Sequence, residues 1–198
     1  MLTEPLYSSQ VFTAPFIVAA NVGLFYALNR PPLVPDAFLS LNVQLARDWW
    51  QKQNRSYFFW EFGKPPEVVI EIVSNTEGNE RGSKFSTYAA MRVPFYAIYD
   101  PLQQLKGPVL EIFELSGLDY VSRTSTWLDS VGIGLTLWQG EFEGREDTWL
   151  RWCDREGQVV PSGAERAAQE QVRAEQERAR ADALAERLRQ LGIDPNEL

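Results

Sequence analysis

A short apolar run that contains a carboxylate constrains the fold of this chain more than any other segment. Val68–Val73 reads Val-Val-Ile-Glu-Ile-Val, so Glu71 lies inside an otherwise β-branched stretch. Pro65-Pro66 precedes the run and Ser74-Asn75-Thr76 follows it, which predicts a short buried strand. A buried carboxylate is costly unless it is paired or binds a metal ion. The fold must therefore bring a compensating charge to the strand face that Glu71 occupies.

Strand alternation predicts which side chains share that face. Side chains point to opposite faces in turn, so Glu67, Val69, Glu71 and Val73 lie on one side. Two carboxylates then point the same way, and Lys84 follows soon after in the sequence. A divalent cation is the leading candidate for the compensating charge, and oxygen-only ligands suit Mg²⁺ or Mn²⁺.

The composition excludes several classes of active site. The chain has no histidine and one cysteine, which removes Ser-His-Asp and Cys-His catalysis, His-ligated zinc and CxxC metal motifs. Cys153 is expected to be a structural thiol. Carboxylates, lysine, tyrosine and hard cations remain available for chemistry.

The length of the chain limits its domain organisation, and its net charge limits the partners that it can bind. The 198 residues predict a domain over residues 1–160 and a linker with a helical, weakly coiled-coil tail over residues 161–198. The net charge of −8 argues against tight non-specific binding to nucleic acid, because phosphate attraction depends on a basic surface. A nuclease is still compatible with this charge, since the local field of a groove governs binding there.

No segment reads as a membrane span or a signal peptide. The apolar stretch Phe12–Leu28 is interrupted by Pro15 and Asn21, and it has no basic start. One cysteine supplies no disulfide framework. A cytoplasmic protein that does not contact a membrane is the expectation.

The patterning predicts a mixed α/β domain with a twisted central sheet. A helix over Ser83–Arg92 ends before Val93-Pro94, because proline disfavours helix in the residue before it. The strand–helix–strand unit around this helix predicts a parallel strand pair. The expected strands are a strand or hairpin within Phe16–Ala27, then Val34–Leu41, Val68–Val73, Phe95–Tyr99, a hairpin of Val109–Leu115 with Tyr120-Val121, Gly132–Trp138 and Trp149–Cys153. Ala46–Asn54 is expected to be a short helix or loop, and Ser56–Trp60 is ambiguous.

The tail has a different composition from the body. Pro161-Ser162-Gly163 reads as a linker, and a helix rich in Ala, Glu, Gln and Arg follows from Ala164. Its heptad pattern is weak, so a solvated single helix and an intermolecular coiled coil both remain open. Gly192 is expected to end the helix, and Pro195 prevents its return.

Three residues form a candidate chemical constellation. Asp36 follows Pro35 near a predicted strand, Glu71 lies in the next clear strand, and Lys84 opens the helix. Two carboxylates from neighbouring strands can hold a divalent ion against a phosphate, while a nearby ammonium offsets charge in the transition state. Each residue is ordinary alone, but Glu71 is costly without a partner.

The ordered set of motifs resembles the Uma family, which is assigned to the PD-(D/E)XK superfamily of restriction-endonuclease-like nucleases. The resemblance covers nearly the entire chain from about Leu6. It rests on Val34-Pro35-Asp36, Pro65–Thr76, Lys84 with Tyr88-Ala89, Val93–Pro101, Gly134–Trp138, Trp149–Trp152 and the Ala/Glu/Arg-rich tail that ends in Leu-Gly-Ile193.

The resemblance implies a fold, a reaction and roles for residues. It implies a restriction-endonuclease-like mixed sheet with flanking helices and Mg²⁺-dependent (or Mn²⁺-dependent) hydrolysis of DNA phosphodiesters. Asp36 and Glu71 match the metal-binding acids, and Lys84 matches the catalytic lysine. In the simplest superfamily pattern that lysine would stand at the place of Val73. Glu67 matches a further acidic position that ligates a second ion or supports the site.

Two further interpretations stay open at this point. The short N-terminal segment and the acidic balance favour a catalytically inactive nuclease-like protein that acts as a dimeric interaction module. RNA or another phosphoester is an alternative substrate. A homodimer is expected for a nuclease, because cutting both strands needs two sites. Tyr88 is expected to pack under the site more than to hydrogen-bond to it.

Overall fold

The computed structural model describes residues 1–45, 48, 51, 55–74 and 80–191. The expected helix or loop at Ala46–Asn54 falls mostly outside these residues, as do the expected helix end at Gly192 and Pro195. Contacts divide the chain into two compact units, Met1–Val160 and Pro161–Leu198.

The first unit is a mixed α/β body, which confirms the expected fold class. Its elements are, in chain order, α1 (Glu4–Ser9), β1 (Phe16–Ala20), β2 (Leu24–Phe25), β3 (Ala37–Leu41), β4 (Tyr57–Phe58), α2 (Phe59–Phe62), β5 (Val68–Ile72), α3 (Ser83–Ala90), β6 (Phe95–Tyr99), β7 (Leu110–Ser116), β8 (Asp119–Arg123), β9 (Trp127–Leu128), β10 (Ile133–Phe142) and β11 (Arg145–Cys153).

A six-stranded sheet in the order β1-β3-β5-β6-β7-β8 forms the centre of this body. β5 and β6 are parallel and are connected through α3, as the strand–helix–strand pattern predicts. The other neighbouring pairs of this sheet are antiparallel, including the predicted β7–β8 hairpin. A second sheet of three strands has the order β11-β10-β9, and β2 pairs with β4.

Several boundaries differ from the sequence-based expectation. The hairpin alternative for the first apolar segment is wrong, because β1 pairs with β3 and β2 pairs with β4. Asn21, with a left-handed φ of 56°, turns the chain between β1 and β2. The third strand begins at Ala37, three residues later than expected, since Pro35 has no N–H for the ladder. The helix α1 has no counterpart in the sequence-based prediction.

Alternating side chains of β5, together with Val73 directly after it, contribute to two hydrophobic cores, one on each face of the central sheet. Val68 and Ile70 belong to a core that includes Trp152 of β11. Val69 and Val73 belong to the opposite core, which includes Tyr88 of α3. The strand is therefore buried on both sides, which explains its nearly continuous apolar sequence.

The second unit contains the predicted C-terminal helix, α4 (Gly163–Gln190). Ser162 and Glu165 form a reciprocal capping box at its first turn. The helix buries none of its described side chains within the chain. Within the described part of the chain, no helix combines the length and the apolar character that crossing a bilayer requires.

Candidate active site

The carboxylate of Glu71 is buried and receives two hydrogen bonds. Glu71 is the penultimate residue of β5 and is 1% exposed. Lys84 Nζ donates to its Oε2 at 2.9 Å, and the Tyr88 hydroxyl donates to its Oε1 at 2.7 Å. Both donors come from α3. The compensating cation that the sequence requires for this strand face is therefore Lys84.

The helix α3 presents both donors on one face because of the spacing of Lys84 and Tyr88 along it. Lys84 and Tyr88 are four residues apart, so they lie on the same face of the helix. Tyr88 is fully buried, with its ring centroid 5.2 Å from that of Tyr96. The expectation that Tyr88 mainly packs under the site was incomplete, since its ring packs and its hydroxyl also binds Glu71.

Electrostatics in this cluster follow from burial. Burial raises the pKa of Glu71, while the hydrogen bonds from Lys84 and Tyr88 favour its carboxylate form. Burial opposes the charge of Lys84, but the hydrogen bond with Glu71 and the neighbouring carboxylates raise its pKa overall. Burial and the charge of Glu71 raise the pKa of Tyr88. Lys84 is therefore a cation and Tyr88 a neutral donor at physiological pH.

Asp36 reaches the same end of β5 from the neighbouring strand. It directly precedes β3, and its Oδ2 accepts a hydrogen bond at 2.6 Å from the backbone N–H of Ile72. Its charge contributes to raising the pKa of both Glu71 and Lys84. The structure therefore brings Asp36, Glu71 and Lys84 together beside the carboxyl end of β5.

Glu67 is not brought to this group. It directly precedes β5, so it lies at the opposite end of the strand from Glu71. Its Oε1 forms an ion pair with Lys64, and its Oε2 accepts from the backbone N–H of Leu41 at 2.8 Å. These contacts hold the end of β3 against the start of β5, a structural role.

Glu80 is a further acidic residue of the site that sequence reasoning missed. It is 4% exposed, and its Oε1 lies 3.6 Å from Lys84 Nζ. Its Oε2 has no hydrogen-bond partner among the described residues. The four-residue spacing from Lys84 was the available signal, but Glu80 precedes α3 in a turn, where the sequence gives no burial pattern.

The donor set fits a hard divalent cation. Mg²⁺ typically binds one or two carboxylates and completes its shell with water and phosphate oxygens. Asp36 and Glu71 supply two carboxylates, and three acidic residues surround Lys84 when Glu80 is included. These three acidic residues are not arranged to hold one metal ion together, and the described residues contain no group of three or more His, Cys, Asp or Glu side chains that is.

A cleft of about 540 Å³ shares Asp36 with the candidate site, whereas neither Glu71 nor Lys84 lines it. Asp36 and Ile72 line it beside the start of β3 and the end of β5, and Phe142, Arg145 and Trp149 line it from β10 and β11. Apolar side chains, among them Leu102 and Leu150, form much of the remaining wall. The cleft thus joins a candidate metal ligand to a largely apolar surface with aromatic rings.

Cys153 lies outside this chemistry. It is buried in β11, and burial raises the pKa of its thiol to about 11. A thiol of that kind is a poor nucleophile at neutral pH, because the thiolate is the reactive form. The prediction of a structural thiol agrees with this environment.

Comparison with known proteins identifies one family. The family model described as "Uma2: Putative restriction endonuclease" matches residues 9–132. The match spans more than half of the chain and includes Asp36, Glu71, Glu80 and Lys84. No curated protein matches the chain.

Proposed function

Because this chain belongs to the Uma family of restriction-endonuclease-like proteins, we propose that it is a metal-dependent endonuclease that hydrolyses DNA phosphodiester bonds. One observation carries the proposal. Asp36, Glu71 and Lys84 come from three different elements and converge at the carboxyl end of β5. Such a convergence supports phosphoryl chemistry, which needs fixed charges more than a reactive nucleophile on the protein.

Asp36 and Glu71 would hold Mg²⁺ or Mn²⁺. When bound, such an ion supplies Lewis-acid charge and a bound water with a lowered pKa. The chain's part is to hold the two carboxylates in place. The Ile72 N–H fixes Asp36, and the Tyr88 hydroxyl fixes Glu71.

Lys84 would offset the negative charge that develops on the phosphate. Its side chain is 26% exposed, so the ammonium can contact a substrate while it remains partly shielded from water. Partial shielding strengthens its electrostatic effect relative to a fully solvated lysine.

The cleft that Asp36 lines, on the β10–β11 side of the central sheet, would hold part of the DNA next to one of the two candidate metal ligands. The aromatic side chains Phe142 and Trp149 can stack on a base or pack against a sugar. Arg145 lies at the same wall, where it is ion-paired with Asp147. The cleft would therefore contact DNA mainly through its aromatic and apolar side chains.

A second candidate function is a catalytically inactive nuclease-like module that acts through dimerisation. The internal pairing of Glu71 favours it. Both oxygens of Glu71 already accept hydrogen bonds from α3, so the buried carboxylate has compensation without a metal ion. Metal binding is therefore the observation that separates the two candidates.

The decisive experiment is cleavage of plasmid DNA. The wild type should nick or cut it with Mg²⁺ or Mn²⁺, and EDTA should stop the reaction. Lys84→Ala should lower turnover by roughly 10²-fold, because it removes charge stabilisation of the transition state. Lys64→Ala is the matched control, since Lys64 is also ion-paired to a glutamate but lies at the other end of β5.

Equal activity of the wild type and Lys84→Ala would indicate a contaminating nuclease. Absence of both cleavage and Mn²⁺ binding would favour the inactive module. A parallel assay that compares a DNA oligonucleotide with an RNA oligonucleotide of the same sequence decides between DNA and RNA as the substrate.

A further inference from the structure

We propose that Glu80 is a positioning residue that holds the Lys84 ammonium in the site while Glu71 binds the metal ion. The inference rests on the proposed function and assigns one residue to it. Glu80 would act through Lys84 and would not contact the metal ion or the substrate.

The geometry places Glu80 beside Lys84 but not yet in hydrogen-bond contact with it. Glu80 Oε1 is 3.6 Å from Lys84 Nζ, whereas Glu71 Oε2 is 2.9 Å from the same atom. A hydrogen bond of this type requires about 2.7–3.2 Å. The ammonium is therefore bound to Glu71, with Glu80 as a second acceptor within reach.

The burial of Glu80 supports a role as a hydrogen-bond acceptor for Lys84. Its side chain is 5% exposed, and its Oε2 has no partner among the described residues. An unpaired buried carboxylate oxygen costs free energy. The Tyr96 hydroxyl donates to the backbone carbonyl of Glu80 at 3.0 Å, which fixes the residue inside the protein.

When a metal ion binds Glu71, the Lys84 ammonium needs a second hydrogen-bond acceptor. A divalent ion on Glu71 repels the Lys84 ammonium, which shares an oxygen of the same carboxylate. A movement of Nζ by roughly 0.4–0.9 Å would bring it to hydrogen-bond distance from Glu80. Without Glu80, the freed ammonium would either turn towards solvent or remain on Glu71 and compete with the ion.

The test is a double-mutant cycle read by metal affinity, so it does not depend on catalysis. Mn²⁺ binding is measured by calorimetry for the wild type, Glu80→Gln, Lys84→Ala and the double variant. Glu80→Gln should weaken Mn²⁺ binding roughly tenfold in the wild-type background, and less than about twofold when Lys84 is already alanine. Glu111→Gln is the control, because Glu111 is ion-paired with Arg81, the neighbour of Glu80.

A second measurement covers the possibility that Glu80→Gln disturbs the fold. The side-chain ammonium signal of Lys84 is followed by NMR as Mg²⁺ is added, with Glu80→Asp as the milder variant. The signal should stay that of a restrained ammonium in the wild type and become that of a solvated one in Glu80→Asp.

Each outcome of the Mn²⁺-binding measurements supports or overturns the proposed role of Glu80. Equal loss of Mn²⁺ affinity in both backgrounds would overturn the proposal, since Glu80 would then act independently of Lys84. Unchanged affinity in Glu80→Gln would overturn it as well. If the wild type binds Mn²⁺ and cuts DNA but shows no coupling, the role of Glu80 alone fails. If the wild type binds no Mn²⁺, the proposed function fails with it.

Discussion

At the scale of single residues, Glu71 shows how a buried charge is made tolerable. The carboxylate loses its hydration in β5, and a cation and a hydroxyl from α3 replace the water. Hydrogen bonds to charged groups contribute more to stability than bonds between neutral groups. The Tyr88–Glu71 bond should therefore be worth more than a buried tyrosine bond to a backbone carbonyl.

Tyr88→Phe tests that difference directly. It should lower the free energy of unfolding by about 1.5–3 kcal/mol, because it removes a donor to a charged acceptor. Tyr120→Phe is the matched control. The Tyr120 hydroxyl is buried and donates to the neutral carbonyl of Val93 at 2.9 Å, so its loss should cost about 0.5–1.5 kcal/mol. Chemical denaturation in EDTA measures both, and a smaller cost for Tyr88→Phe would refute the charge-assisted bond.

At the scale of elements, α3 and α4 are stabilised in different ways. α3 is held by its buried contacts, with Tyr88 and Ala89 in the core of the body. α4 buries no side chain, so it depends on its capping box and on ion pairs such as those of Arg173 with Glu170 and Glu177. The first turn of α4 should therefore be sensitive to its cap.

Ser162→Ala should weaken the first turn of α4 by about 1 kcal/mol, because the Glu165 N–H loses its side-chain acceptor. Amide hydrogen exchange across the first turn is the measurement, and faster exchange is expected there. Gln169→Ala, at an exposed position inside the same helix, is the control and should not accelerate exchange. Unchanged protection in Ser162→Ala would mean that contacts outside this chain hold the helix.

At the scale of the whole molecule, the number of candidate active sites per chain bears on whether the protein forms a dimer. Each chain supplies one candidate site, whereas cutting a duplex through both strands needs two. The described part of α4 exposes few large apolar residues, among them Val172 and Leu184. The body exposes Trp60 at 51%, in the aromatic segment with Phe58 and Phe59. Trp49 and Trp50, which the sequence places in the same aromatic-rich region, lie outside the described residues.

We therefore predict a homodimer in which the body makes most of the interface. A protein shortened after Ser162 should keep the mass of a dimer, because the tail offers little apolar area to bury. Multi-angle light scattering of the shortened and full-length proteins at equal concentrations measures this. A monomeric shortened protein would show that the coiled-coil alternative for α4 is correct.

The local sequence pattern was sufficient to predict several strands, the end of α3 and one parallel strand pair, because nearby residues determine these features. The β-branched run around Glu71 predicted a buried strand, and Val93-Pro94 predicted the end of α3 within two residues. The strand–helix–strand order predicted the parallel β5–β6 pair. The buried charge of Glu71 also predicted a compensating cation on its strand face, with a divalent ion as the leading candidate, whereas the structure shows Lys84 in that role.

Contacts between distant segments decided the rest. Glu67 and Glu71 share a strand face in the sequence pattern, but Lys64 and the Leu41 N–H bind Glu67 at one end of β5. The buried Glu80 and the Tyr88 hydroxyl bond depend on where α3 lies against the sheet. The pairing of β1 with β3 likewise depends on how the strands assemble into the sheet. Periodicity determines which side a residue faces, whereas the partner that it meets there is set by the packing of the whole body.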